Sequence, residues 1–72
     1  MPFYIVNRNP QSTGEHEVHR NDCTCSHMPT PSNRIDLGFH YNCQGAIIEA
    51  KRRFPGHQFD GCYYCSNACH AR

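Results

Sequence analysis

Cysteine and histidine are the side chains of this sequence that could do chemistry, since six of each occur among only 72 residues. The sharpest local pattern is Cys62-x-x-Cys65, in which two thiolates from one tight turn can hold a zinc ion. Gly61, immediately before the pair, allows a sharp approach of the chain. A second pair, His19-x-x-x-Cys23, lies where a predicted strand ends and a loop begins. Together the two pairs predict one tetrahedral site for a single zinc ion.

The fourth ligand is the least determined member of this set. Cys23 follows the predicted hairpin directly and is the natural third ligand, whereas Cys25 is predicted to be a bystander. His19 has a suitable spacing from Cys23, but one helical turn would bring Cys69 onto the face of Cys65, and a thiolate is the stronger zinc ligand. We predict His19 as the ligand. The alternates are Cys69, His70 and Cys43.

Length and composition explain why the chain needs such a site. With 72 residues, a net charge of +1 and 38% hydrophobic residues, residues 1–72 can form one small domain. A thin core of this size usually requires a structural metal or disulfides. The short length excludes a large enzyme with a deep cleft, and no segment has the roughly 20 apolar residues of a membrane helix. A near-neutral charge does not favour strong electrostatic capture of nucleic acid.

The first seven residues bear on the expected compartment. They contain no basic leader, and their apolar run is too short for a signal-peptide core. We therefore expect a cytoplasmic protein, in which thiols stay reduced and Cys/His clusters are metal sites. Three disulfides are an alternative, and a mixture of metal ligation and other thiol states is a third. Cys43 is predicted to be a buried small hydrophobe, or else a partner of Cys69.

The predicted elements form an α+β domain. An N-terminal β-hairpin spans about 3–8 and 15–19, a short third strand lies near 34–37, one main helix lies near 43–54, and a Cys knuckle ends the chain. Cys43, Ala46, Ile47, Ala50 and Phe54 recur at the helical period. The predicted contacts of this helix face on the sheet are Ile5, Val18, Ile35 or Leu37.

Several short motifs follow a familiar order: Tyr4-Ile5-Val6-Asn7-Arg8-Asn9, His19-Arg20-Asn21-Asp22-Cys23, Asn33-Arg34-Ile35 and Gly61-Cys62-Tyr63-Tyr64-Cys65. Over roughly residues 4–65 they resemble the small zinc-binding domain of the Ada DNA-repair family, which also occurs as an appendage on bacterial nucleases. The resemblance implies a hairpin and a helix around one zinc ion, with His19, Cys23, Cys62 and Cys65 as ligands. The whole chain is also similar to a group of short bacterial proteins with no assigned function.

Two departures from the Ada-type pattern limit what the resemblance implies. The stretch between Cys23 and Cys62 is longer than in that family, so residues 25–31 would be an inserted loop. The methyl-accepting thiolate of the repair proteins corresponds in position to His19, which has no thiolate. Repair of methyl phosphotriesters is therefore not expected of this chain.

The leading functional hypothesis is a monomeric, zinc-stabilised binding module without catalytic activity, because no carboxylate pair or Ser/His/Asp constellation accompanies the ligands. Its partner would be a protein or a nucleic acid, and no membrane association is expected. The cations available for nucleic acid are Arg20, Lys51, Arg52 and Arg53. Three thiolates and one Zn²⁺ would lower the net charge from +1 to 0, which argues against strong phosphate affinity.

Two alternative hypotheses assign the chain to other functional classes of protein. A thiol redox protein or zinc-linked redox switch would use Cys62, Cys65 and Cys69. A disulfide-stapled domain would use all six cysteines in three pairs.

Overall fold

The apolar run at the start of the chain forms an inner strand of a four-stranded mixed sheet. The computed structural model describes residues 2–70. Strand β1 (Phe3–Asn7) pairs antiparallel with both β2 (Glu15–Arg20) and β3 (Arg34–Phe39). Strand β4 (Gln58–Gly61) pairs parallel with β2, so the order across the sheet is β3-β1-β2-β4. The hairpin and the third strand are confirmed.

Strand β4 was not predicted from the sequence. It has only four residues, and these carry too little alternation of apolar and polar side chains to indicate a strand. Its pairing with β2 joins segments more than 40 residues apart, from Glu15–Gln58 to Val18–Gly61. A contact of this range depends on the packed fold rather than on local sequence.

The predicted helix is confirmed as α1 (Cys43–Arg53), and its ends follow from local chemistry. The Asn42 side chain accepts a hydrogen bond from the Gly45 N–H at 3.1 Å, which satisfies one of the free donors of the first turn. Three cations in the last turn suit the negative end of the helix dipole. The chain then leaves the helix through Gly56, whose φ of +89° favours glycine. None of the helices within residues 2–70 has the length and apolar character that a membrane crossing requires.

The main core lies between α1 and one face of the sheet. Ala46 and Ala50 of the helix are fully buried, and small side chains here let the helix approach the strands closely. The core cluster joins them to Tyr4, Val6, Val18, Leu37 and Cys43. Ile35, Ile47, Phe54 and Phe59 are partly buried against its edge.

One predicted core contact is wrong. Ile5 is buried but does not belong to the cluster under α1. Successive side chains of a strand point to opposite faces, so Tyr4 and Val6 face the helix while Ile5 faces away from it. The residue opposite Ile5 on β2 is His19. A second buried layer therefore lies on the back of the sheet.

A disulfide joins Cys43, at the start of α1, to Cys69 near the end of the described chain. Cys43 is buried as predicted, and of its two predicted states the structure has the alternative one, bonded to Cys69. The segment that carries Cys69 packs directly on Gly61, where a Cβ atom would lie 2.5 Å from the Ser66 carbonyl oxygen and 2.6 Å from the Cys69 Cβ. Gly61 is thus required by close packing, and not by a sharp turn of its own backbone.

We predict that breaking the disulfide destabilises the fold. The bridge spans 26 residues, and loop-closure entropy for a loop of this length gives about 3 kcal/mol. Chemical denaturation of Cys69→Ser should show this loss relative to the oxidised wild type. Intact mass under non-reducing conditions should be about 2 Da below that of the fully reduced chain.

The reduced wild type is the control for this comparison. With reductant present, wild type and Cys69→Ser should have nearly equal free energies of unfolding. A persistent difference of about 3 kcal/mol would mean that packing of Cys69, and not the covalent bond, supplies the stability.

Candidate metal centre

The parallel pairing of β2 with β4 places the candidate ligands at one edge of the sheet. Both strands end at this edge. His19 is the penultimate residue of β2, and Cys62 directly follows β4. The Cys62 N–H donates to the Val18 carbonyl at 2.9 Å, which holds Cys62 beside the end of β2. Cys23 and Cys25 lie on the loop that leaves β2 at the same edge. Ligands distant in sequence therefore meet in one place.

Four of these side chains form a compact donor cluster. The ligand atoms of His19, Cys23, Cys25 and Cys62 all lie within 4.8 Å of one another. The Cys25 Sγ lies 3.6 Å from the Cys62 Sγ and 3.8 Å from the His19 Nδ1. Zinc–sulfur bonds of about 2.3 Å in a tetrahedral site place two thiolate sulfurs about 3.8 Å apart. The spacing is that of donors around one metal ion, and this cluster could hold one.

Cys65 adds a fifth donor to the cluster. Its Sγ lies 3.8 Å from the His19 Nδ1 and accepts the Arg20 N–H at 3.4 Å. The thiols of Cys23 and Cys62 also lie close enough to Cys65 to raise the pKa of its thiol. Five donors therefore surround a site for which four are sufficient.

The orientation of His19 fits the role of a ligand. The ring is fully buried, and its Nδ1 faces the sulfur atoms. Its Nε2 lies 3.0 Å from the Glu17 Oε1, close enough for a hydrogen bond although the two groups are not aligned for one. Metal-binding histidines ordinarily direct their second ring nitrogen to a carboxylate or carbonyl in this way. Such an arrangement fixes the ring and leaves Nδ1 to face the ion.

Burial also sets the protonation states of the donors. It lowers the pKa of His19 to about 4, with further contributions from His27 and Arg34, so the imidazole is neutral at pH 7 and has a free lone pair. Burial and the neighbouring Cys23 thiol raise the pKa of both Cys25 and Cys65. Grouped thiolates repel one another in a buried site, and a divalent cation removes that penalty by binding them. The donor set thus fits a soft divalent metal.

The predicted site residues are placed as follows. His19, Cys23 and Cys62 belong to the four-donor cluster, and Cys65 contacts it. Cys25, predicted to be a bystander, lies inside the cluster.

The predicted alternates lie elsewhere. Cys43 and Cys69 bond to each other. His70 donates from Nδ1 to the Gly61 carbonyl at 3.0 Å and lies 3.5 Å from the Asp60 carboxylate.

Two residues of the site were missed from the sequence. Cys25 had a usable signal, because Cys23-x-Cys25 offers two thiols from one loop just as Cys62-x-x-Cys65 does from another. Glu17 had a weaker one. It lies two residues before His19 on a strand, which places both side chains on the same face.

An open cavity of about 550 Å³ adjoins the cluster, and its walls include Cys23, Cys25 and Cys65. His19 and Cys62 lie on the opposite, buried side, with 0% and 1% exposure. The centre is therefore closed towards the sheet and accessible from the loop.

Comparisons with protein-family models, curated proteins and solved structures found no significant match to this chain.

We predict that proton release on zinc binding reports the ligand set. Unfolded histidine titrates near pH 6.5 and cysteine near 8.5, and each ligand must lose its proton to bind. The folded-state pKa of His19, about 4, is below the unfolded value, so acidification below about pH 6.5 favours the unfolded, metal-free chain. Zinc affinity should accordingly fall as the pH falls.

Calorimetry in buffers of different ionisation enthalpy measures the proton count. One histidine and three cysteines should release about three protons at pH 7.5 and about four at pH 5.5. About four protons at both values would instead identify four thiolate ligands and exclude His19.

We also predict that the five donors do not contribute equally. Cys62 is buried between the other donors, so Cys62→Ser should weaken zinc affinity by orders of magnitude. Cys25→Ser and Cys65→Ser should each have a small effect, because the remaining thiol can take the vacated position. The double variant should lose affinity as severely as Cys62→Ser.

Zinc competition titrations measure these affinities, and the intensity of cobalt(II)–thiolate absorption counts the bound sulfurs. His19→Ala should also weaken zinc affinity by orders of magnitude, and His57→Ala, at an exposed histidine outside the cluster, is its matched control. Equal, large losses in both Cys25→Ser and Cys65→Ser would contradict the idea of a spare donor.

Proposed function

We propose that this chain is a small zinc-stabilised binding module without catalytic activity. The observation that carries the proposal is the donor cluster, whose ligand atoms lie within 4.8 Å of one another. Thiolate and imidazole donors in this spacing favour zinc among the common divalent metals, whereas magnesium and calcium prefer oxygen ligands. The proposal does not depend on the Ada-type resemblance, which stays a prediction.

The small core supports a structural role for the metal. The main cluster contains only seven buried side chains, among them two alanines. On the other face, the loop between β2 and β3 has no regular structure apart from a short 3-10 turn at Pro31–Asn33. A structural zinc contributes about 10 kcal/mol or more near neutral pH, comparable to the whole stability of a small domain. Zinc binding would therefore decide whether the chain folds.

The number of donors supports a role in binding rather than catalysis. Catalytic zinc sites supply three protein ligands and leave a fourth position for water or substrate. Here five protein donors surround the site, so a protein side chain can occupy every position of a tetrahedral ion. Glu17, the carboxylate beside the cluster, directs its Oε1 to the Nε2 of His19 at 3.0 Å.

The surroundings of the predicted cations favour a protein partner over a nucleic acid. Arg20 pairs with Asp22 at 2.9 Å, and Arg52 and Arg53 both bond to Glu49. These arginines lower the pKa of Glu49 to about 2, so the carboxylate stays charged and offsets one of their two positive charges. Lys51 is exposed and adds one more cation, but so few uncompensated charges give little phosphate affinity.

Metal analysis combined with NMR tests the proposal. The purified protein should contain one equivalent of zinc, and EDTA with reductant should collapse the amide dispersion. Added zinc should restore the spectrum, and EDTA saturated with zinc beforehand should have no effect. A dispersed spectrum after complete metal removal would contradict the proposal, and so would an intact mass that shows three disulfides.

A zinc-linked redox switch is a second candidate, favoured by the 3.6 Å contact between the sulfurs of Cys25 and Cys62. Hydrogen peroxide would take two electrons from the two thiolates, which would join as a disulfide. With two protons the peroxide would be reduced to two molecules of water. Zinc would then lose two donors. Stoichiometric hydrogen peroxide should release zinc from the wild type if this function operates. It should release markedly less from Cys25→Ser, which lacks one sulfur of the pair.

A further inference from the structure

A second cavity, of about 240 Å³, lies beside the metal centre and has a different character from the open one. Besides the Gln11 amide, its walls contain four rings, one carboxylate and one thiol, from His27, Tyr63, Tyr64, His70, Glu17 and Cys62. Its volume is below the 300–1,000 Å³ typical of sites for drug-sized ligands. The cavity can therefore receive a small group, such as the end of one side chain.

The rings stand as walls rather than as a packed core. Tyr63 is perpendicular to Tyr64, at a centroid distance of 5.3 Å, and nearly perpendicular to His70, at 5.4 Å. His27 lies parallel to Tyr64 at 6.0 Å. The tyrosines are 57% and 65% exposed, so much of their ring surface is free to contact a ligand.

The charges around this cavity favour a cation. Glu17 contributes a carboxylate, and none of the described residues that line the cavity is lysine or arginine. Cys62, at the wall, belongs to the donor cluster. A zinc ion with three thiolates carries a net charge of −1, and one with four carries −2, so the occupied centre would add to the negative potential.

We propose that this cavity binds a methylated ammonium group, carried on a lysine side chain of a protein partner. A cation within about 6 Å of a tyrosine ring is attracted by the π face. Methylation weakens the hydration of the ammonium and adds apolar surface, which the rings cover. A metal ion is a poor alternative, because the donor cluster of the zinc centre is the one group of three or more metal-ligating side chains found among residues 2–70.

This inference rests on the proposed function and extends it by naming what the module binds. The protein partner is the favoured source because Tyr64 also lines the open cavity, whose walls include the exposed polar side chains of Asp22, Thr24 and Ser26. These side chains can hydrogen-bond to the backbone that flanks a lysine. A free quaternary ammonium compound would make only the contacts inside the cavity. The two sources therefore differ in expected affinity.

Peptide titrations followed by NMR test the inference on the zinc-loaded, full chain. The probes are one short peptide carrying trimethyllysine, the same peptide with lysine, and the same peptide with a neutral tert-butyl isostere. Choline is the fourth probe. The trimethyllysine peptide should bind at least about fivefold more tightly than each of the others. Its amide shifts should centre on Tyr63, Tyr64 and Glu17.

Variants separate the ring faces from general effects. Tyr64→Leu should weaken binding of the trimethyllysine peptide at least about fivefold, whereas Tyr64→Phe, which keeps a π face, should stay within about twofold of wild type. Tyr41→Leu is the matched control, since Tyr41 is 81% exposed and does not line the cavity.

Each other outcome overturns the inference. Equal binding of the isostere would identify an apolar pocket. Equal binding of choline would exclude a protein partner as the source of the ammonium group, and no binding of the peptide by zinc-loaded protein would exclude an ammonium site in this cavity. Zinc content and amide dispersion of the same samples report on the proposed function separately. Folded protein that binds the peptide without zinc would contradict only the structural role of the metal.

Discussion

The parallel contact between β2 and β4 is the interaction on which the rest of this structure depends. Parallel strands end at the same edge of a sheet, so the pairing brings His19 beside Cys62 although 43 positions separate them. It also commits the segment from Asn21 to His57 to a long crossover that contains β3 and α1. The donor cluster and the helix-side core both follow from this one pairing.

A buried layer lies on each face of the sheet. Successive side chains of β2 point alternately into one layer and the other. Val18 faces α1 and belongs to the main core, whereas His19 faces the opposite side and belongs to the donor cluster. A shift of one residue in the register of β2 would exchange the two side chains, leaving an imidazole under the helix and a valine among thiols. The core and the candidate metal centre are therefore specified by the same register.

The C-terminal segment is held from both sides of this sheet edge. Cys62 and Cys65 attach it to the donor cluster, and the Cys43–Cys69 disulfide attaches it to the start of α1. Gly61 lies between these attachments and permits the close contact with Ser66 and Cys69. A metal ion at the cluster would link the C-terminal segment to the end of β2 and the loop that follows it. The C-terminal segment also carries the two tyrosines of the proposed ammonium site.

Local sequence by itself determined the hairpin strands, the third strand and the helix, because alternation, capping and helical period act over a few residues. It also identified His19, Cys23, Cys62 and Cys65 as candidate ligands from their type and spacing. The tertiary structure alone decided that β4 exists, that Cys43 bonds to Cys69, and that Cys25 lies among the donors. Each of these is a contact between distant segments, and its partner is chosen by how the sheet and helix pack. Local periodicity therefore cannot predict these contacts.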